Sequence, residues 1–208
     1  MKKITILLSI LFFVSLSLNS FSQSFSGKGS KQFQIGIGVT KHNAWYPTNG
    51  TGPKGRVKPL AGALYFQFEL GIHKYIGVGM HLGGEFSSNL KKSTLGILIP
   101  SLNYSSFYGF GIPIGFHSNF HFFQLIADKS SKGNMSEKLD IYAGLSIGSG
   151  VAFAIPKKEY KYFGSDVGYM LYGGIHAGIR YYLKEKLGIY AEIGHGRAYI
   201  NGGMVLSF

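Results

Sequence analysis

The chain has 208 residues with a formal net charge of +12; 31 are glycine, 15% are aromatic and none is cysteine. Without cysteine, neither disulfides nor thiolate metal sites can hold the fold together, so its stability must come from packing and hydrogen bonding. Glycine at about twice the usual ~7%, with abundant Tyr and Phe and few charges, excludes a charged disordered chain and matches a barrel-like mixture.

The N-terminus reads as an export signal. Met1, Lys2 and Lys3 form a positive n-region, Ile4 to Leu18 an almost unbroken apolar core, and Asn19 to Gln23 a short polar segment with small residues. Ser20 and Ser22 suit the −3 and −1 positions, so cleavage is expected after Ser22, and a lipoprotein signal would require a cysteine there. A spanning helix needs roughly 20 apolar residues, more than this stretch supplies, and no later run reaches 18. Residues 1–22 are therefore expected as signal peptide, 23–31 as a flexible leader and 32–208 as one folded domain. Loss of Lys2 and Lys3 leaves 19 basic residues against 9 acidic, or +10. That surface favours anionic partners, and in an exported chain lipopolysaccharide phosphates or anionic glycans are expected rather than nucleic acid.

From residue 33 onward the dominant signal is period-2 alternation, the mark of strands. Phe33, Ile35, Ile37 and Val39 oppose Gln34, Gly36, Gly38 and Thr40. A loop from Lys41 to Ala61 follows, rich in Gly and Pro, before Leu64, Phe66, Phe68 and Leu70 oppose Tyr65, Gln67, Glu69 and Gly71. A short turn at 73–75 leads into Ile76, Val78, Met80 and Leu82 against Gly77, Gly79, His81, Gly83 and Glu85. The next loop is expected from about Ser87 to Ser106, with Thr94 to Pro100 inside it as an alternative strand extension, and then Phe110, Ile112, Ile114 and Phe116 alternate with glycines and Pro113. Pro113 has no amide hydrogen, which predicts a bulge or weakened pairing. After a polar turn from Ala127 to Lys138, three further strands centre on Ile141 to Ile147, Tyr169 to Tyr181 and Leu187 to Ile193, and the chain ends on Met204, Leu206 and Phe208.

The total is eight strands, each with the ~9 to 11 residues that a tilted strand needs to cross a bilayer. Short connections alternate with long ones, as in outer-membrane barrels. The strand glycines fall on the polar face with Glu69, Glu85, Arg180, Glu192, His81 and His176. An eight-stranded barrel has room only for side chains inside, so large polar residues there need small neighbours. The expected fold is an all-β, eight-stranded antiparallel transmembrane β-barrel, apolar outside and polar within. Glu69, Glu85, Arg180 and Glu192 are expected to form a charge network closing the lumen, because a buried charge must be paired.

The C-terminal segment from Leu187 to Phe208 resembles the closing hairpin of bacterial outer-membrane β-barrel domain proteins, notably the PorT-like branch common in Bacteroidota. The stretch Phe107 to Phe120 resembles that family's middle strand, with its Ile112-Pro113 step. The pattern is also similar to small OmpA-like and OmpX-like barrels. The resemblance implies that Met204, Leu206 and Phe208 form the signal read by the barrel-assembly machinery during biogenesis.

Chemistry-bearing motifs are scarce. His117 and His121 are four apart, roughly 13 Å on a strand, too far to share one ion. His81, His176 and Glu192 are expected to fill the lumen. His117 and Ser118 are neighbours and so face opposite ways, against a lipid deacylase pair. The glycine spacings do not complete a dinucleotide fingerprint, and no Walker, HExxH, CxxC or G-x-S-x-G motif appears. No catalytic residue, cofactor or metal is expected. Basic residues cluster instead in the loops: Lys54, Arg56 and Lys58 in the first, Lys91 and Lys92 in the second, and Lys157, Lys158 and Lys161 in the third, with Arg197 near the fourth. They are expected to form an external rim that contacts lipopolysaccharide phosphates. The expected function is a non-enzymatic barrel with a plugged polar lumen, serving envelope integrity, surface interaction or a secretion-accessory role, with room for an unidentified envelope protein partner. A lipid-modifying enzyme of the lipid A acyl hydrolase or transferase type and a narrow pore are the alternatives.

Overall fold

The computed structural model describes residues 25–46, 55–93, 104–129, 138–157 and 165–208. The signal peptide expected over residues 1–22 lies outside them.

Ten strands follow in order: β1 (Lys31–Lys41), β2 (Ala44–Tyr46), β3 (Gly55–Val57), β4 (Leu60–His73), β5 (Ile76–Ser93), β6 (Tyr104–His121), β7 (Leu139–Pro156), β8 (Asp166–Tyr182), β9 (Leu187–Gly194) and β10 (Ile200–Ser207). A short helix, α1 (Phe122–Lys129), lies between β6 and β7. Every pairing is antiparallel, and eight of the strands close a ring: β1 meets β4 on one side and β10 on the other, and β8 meets β9. Closure removes the exposed edges that an open sheet of this size would carry.

The faces are inverted relative to a soluble barrel. Ile37 is 73% exposed and Ile175, Phe116 and Leu145 about as much, whereas Gln32, Glu69 and Arg180 on the opposite face are at or near zero. Alternation thus sends isoleucine, leucine and phenylalanine outward and amides, carboxylates and imidazoles inward. Such an exterior is stable only in hydrocarbon, and a closed barrel is the β-architecture that satisfies its backbone there. Among the described residues no helix is long and apolar enough to cross a membrane; the strands do the crossing.

The strands are unequal, which corrects the expectation of uniform short spans. β5, β6 and β7 have 18 residues and β8 has 17, while β9 and β10 have 8 each. The loop expected from Ser87 to Ser106 is therefore strand over much of its length: β5 continues to Ser93 and β6 begins at Tyr104. A register shift between Ser87 and Leu90 explains why the alternation read from sequence stopped there, since a bulge reverses which residues face inward. Pro113 has the expected effect. β5–β6 pairing is interrupted opposite it, between Leu82–Ile114 and Glu85–Gly111, while its other neighbour, Gly150 of β7, stays paired.

The short β9–β10 hairpin leaves a notch in the wall beside the tall β8. β2 fills its upper part by pairing with β8 at Ala44–Met170 and Trp45–Tyr169, with β3 pairing to its far side. The first loop is thus partly structured, as a hairpin laid across the notch. At the opposite end, residues 25–30 depart from the flexible leader that their Ser/Gly composition implied. Phe25 is buried and stacks on His121 with ring centroids 3.5 Å apart, and Gly29 and Gly71 donate backbone hydrogen bonds to Gly71 and Ser30 carbonyls at 2.8 Å. Helix α1 is also new. Strand alternation ends at the consecutive Phe122 and Phe123, and the side chains of Phe122 and Ile126 stay exposed on the helix.

Candidate functional site: the lumen and its rim

The lumen is filled in three layers. Nearest the short turns, Arg180 donates to Glu69 at 2.6 Å, to Asp140 at 3.0 Å and to Gln32. One guanidinium cannot balance two carboxylates, and His121 completes the cluster, its two ring nitrogens each 2.8 Å from an oxygen of Asp140 or Glu69. The Asn119 amide adds a donor to Glu69 at 2.7 Å, and the Tyr142 ring lies 4.0 Å beneath the guanidinium. Register explains the assembly: Asp140 pairs with Arg180 across β7 and β8, and His121 with Tyr142 across β6 and β7, so the inward positions share one level.

A histidine layer lies above. His81, His117 and His176 follow one another at ring-centroid distances of 5.9 and 6.4 Å. His81 shares a 2.6 Å hydrogen bond with the Tyr172 hydroxyl, and His176 bonds Asn119 at 2.7 Å. Glycine makes room for these rings: a Cβ on Gly115 would lie 2.9 Å from His81, and one on Gly79 2.6 Å from His117. His81, His176 and Glu192 do not meet, and no group of three or more metal-binding side chains forms among the described residues. His117 faces inward while the Ser118 hydroxyl donates to the Gly77 carbonyl at 3.2 Å, so the two form no catalytic pair.

The third layer centres on Arg197, which turns into the lumen rather than lying on the rim. It bonds Glu192 and, at 2.8 Å, Gln67. The Tyr65 hydroxyl lies 2.9 Å from Glu85 and 2.8 Å from the Arg197 carbonyl, which also accepts from Thr40 at 2.6 Å. The four charged residues expected as one network are therefore divided. Glu69 and Arg180 meet directly, whereas Glu192 pairs with Arg197 and Glu85 with Tyr65. Asp140, His121 and Arg197 are partners outside the expected network: in the sequence His121 stands out only as a neighbour of His117, and Arg197 as part of the rim.

Above these layers the interior changes character. Ala44, Tyr46, Phe107, Ala152, Ala154 and Met170 form an apolar cluster under the β2–β3 hairpin. The lumen is thus polar only through its middle and closes on an apolar cap. Inside the cap the Tyr46 phenol shares a 3.0 Å hydrogen bond with His42. The sequence carried a signal for this change, because Val151 to Ile155 is apolar on both faces.

Of the expected rim, Lys58 is exposed and Lys157 is half-buried with its ammonium 5.2 Å from the Tyr108 ring centroid. Arg56 lies opposite Trp45 in the β2–β3 hairpin. Lys54, Lys158 and Lys161 lie outside the described residues, as do the side chains of Lys91 and Lys92. Trp45 and Tyr169 lie nearly parallel on the outer wall, with ring centroids 6.4 Å apart. Met204, Leu206 and Phe208 share the outward face of β10 and the chain end, between buried Val205 and Ser207.

An apolar exterior, a closed eight-stranded ring and a packed polar interior define a small transmembrane β-barrel of the outer-membrane class. Solved structures agree on the fold. The chain is similar to the N-terminal β-barrel domain of Pseudomonas aeruginosa OprF, at 11% identity over 88% of this chain and 99% of that one, with a TM-score of 0.50. It is also similar to the outer membrane protein OprG of Pseudomonas aeruginosa, at 9% identity over 88% and 97%, again with a TM-score of 0.50. No family model matches the chain, and no curated sequence does.

Proposed function

We propose that this chain is a non-enzymatic outer-membrane barrel with a closed lumen, whose work is done at its surface: envelope integrity and contact through the external rim. The observation that carries this reading is the filling of the lumen from end to end, by Phe25 on His121, the two arginine clusters, the histidine layer and the apolar cap. Among the described residues, that packing favours a closed interior over a continuous channel. With the short turns on the periplasmic side, the tall β5–β8 wall and the β2–β3 hairpin stand on the external side. There Lys54, Arg56, Lys58, Lys157, Lys158 and Lys161 would meet lipopolysaccharide phosphates. The terminal Met204, Leu206 and Phe208 would serve the barrel-assembly machinery. The terminal hairpin and the Ile112-Pro113 step support placement in the PorT-like branch.

The test combines two measurements. The purified barrel in planar bilayers is expected to show no steady conductance, and lipid A and phospholipid mass spectra are expected to be the same in cells lacking and overproducing it. Steady single-channel currents would replace the closed barrel with a pore. Acyl-chain gain or loss that tracks protein level would make it an enzyme.

A further inference from the structure

The notch beside the short closing hairpin is only partly filled by β2. Between the β2 pairing at Tyr169–Met170 and the β9 pairing that begins at His176, the β8 edge is met by a turn, residues 195–199. This turn is pressed against β8 by backbone contact. The His195 amide donates to the Ile175 carbonyl at 2.8 Å, and a Cβ on Gly174 would lie 1.7 Å from the His195 carbonyl oxygen. Two connected depressions result on the outer wall.

The upper one is a cavity of about 180 Å³. Lys41, Lys58, Asn43, His195 and Tyr199 line it, and no acidic side chain does so among the described residues. The fold brings the two lysines together: Lys41 pairs with Leu60, two residues from Lys58, and the His42 amide donates to the Pro59 carbonyl at 2.9 Å. The Lys41 ammonium sits 5.5 Å from the Tyr199 ring centroid, and His195 packs edge-on to the same ring at 6.0 Å.

The lower one is a trough of about 680 Å³ over β7, β8 and β9. Its floor is made by two alanines facing each other across β7 and β8, Ala143 and Ala177, with Ile193 beyond. Leu145 and Ile175, both well exposed, flank it above. Small residues between large ones on an otherwise bulky apolar wall leave a channel for a chain-like apolar group. His195 and Tyr199 line both depressions, so the cationic cavity opens directly onto the apolar trough.

We infer that this composite crevice binds a phosphorylated acyl lipid, the lipid A of the external leaflet. Its phosphate sits between Lys41 and Lys58, with Asn43 and His195 as further hydrogen-bonding groups, and one acyl chain lies along Ala143, Ala177 and Ile193. Charge complementarity selects the phosphate, since two ammonium groups face the cavity without a carboxylate to compete. The choice of leaflet rests on the orientation adopted under Proposed function, in which the notch lies on the external side. The site is distinct from the loop rim, sharing only Lys58 with it.

The test uses the folded full mature chain in detergent, with native mass spectrometry and three probes: bis-phosphorylated lipid A, the same lipid dephosphorylated, and phosphatidylglycerol. Lipid A is expected to bind about tenfold more tightly than its dephosphorylated form, and K41Q/K58Q is expected to abolish that preference. A177F should weaken both lipid A forms by blocking the trough, whereas K184Q, in the short β8–β9 turn at the opposite end of the barrel, should change nothing. A full preference retained by K41Q/K58Q would overturn the site, and phosphatidylglycerol binding as well as lipid A would overturn the assignment to the external leaflet. The unheated gel mobility of each variant separates this from the broader reading. Normal mobility with no lipid preference sinks the crevice, and with it phosphate contact at the rim, but leaves the closed barrel standing, whereas absence of a heat-dependent shift in the parent chain sinks the membrane barrel itself.

Discussion

Arg180 is fully buried, bonded to two carboxylates and an amide, and stacked on Tyr142. Removing one partner of a buried ion pair costs far more than the pair contributes, because the remaining charges are stranded. R180M is expected to destabilise the folded barrel by about 3–5 kcal/mol in urea titrations in detergent or lipid. Adding E69Q and D140N to R180M should recover part of that loss, since neutral amides strand no charge. Gly178 is a second sensitive position. A Cβ there would lie 2.4 Å from the Tyr142 ring, whose hydroxyl holds Glu192 at 3.0 Å. G178A should cost about 1–3 kcal/mol by the same assay, the usual penalty for overpacking. The residue types of this interior were legible in the sequence, but their partners were not. Asp140 was visible on a polar strand face, yet nothing along one strand says that it lies level with Arg180 on the next.

Among the elements, the closing turn and the β2–β3 hairpin share the work of sealing the notch. Gly196 adopts φ +104°, a conformation that suits glycine, and packs on the backbone of Gly173 and Gly174. G174A should push the turn off β8, which would appear as faster hydrogen exchange at the amides of His195 and Tyr199, with the lower barrel unchanged. The hairpin's buried Tyr46 belongs to the apolar cap. Y46A/F107A should hollow that cap, and bilayers containing the variant should still carry no steady current, because the Arg197 and Arg180 layers lie below it. The helix α1 and the upper reaches of β5 and β6 were the elements least legible in the sequence. A bulge reverses the alternation near Ser87, and an eight-residue helix offers too few turns for its period to stand out.

At the scale of the whole molecule, the outer edges of β1 and β10 find their backbone partners only where the two strands meet. The register from Gln32–Ser207 to Val39–Ile200 joins the two ends of the described chain. A barrel closed in this way should resist dodecyl sulfate until heated. The protein is therefore expected to migrate faster unheated than boiled, and an unchanged mobility would contradict the closed ring. The apolar exterior requires the same fold to be inserted in lipid, so removal of detergent without lipid should precipitate it.

The sequence by itself determined the class of architecture, because strict two-residue alternation with glycine on the polar face has one stable outcome in a membrane: a small barrel, apolar outside and filled within. Local physics also dictated the interrupted pairing at Pro113, where an amide hydrogen is missing. Tertiary structure decided everything that depends on height and shear. It set which inward charges share a layer, turned Arg197 from the rim into the lumen, folded Phe25 onto His121, and joined Lys41, Lys58 and the Ala143–Ala177 floor into one crevice. Alternation specifies a face, and only the register between strands specifies a level on that face.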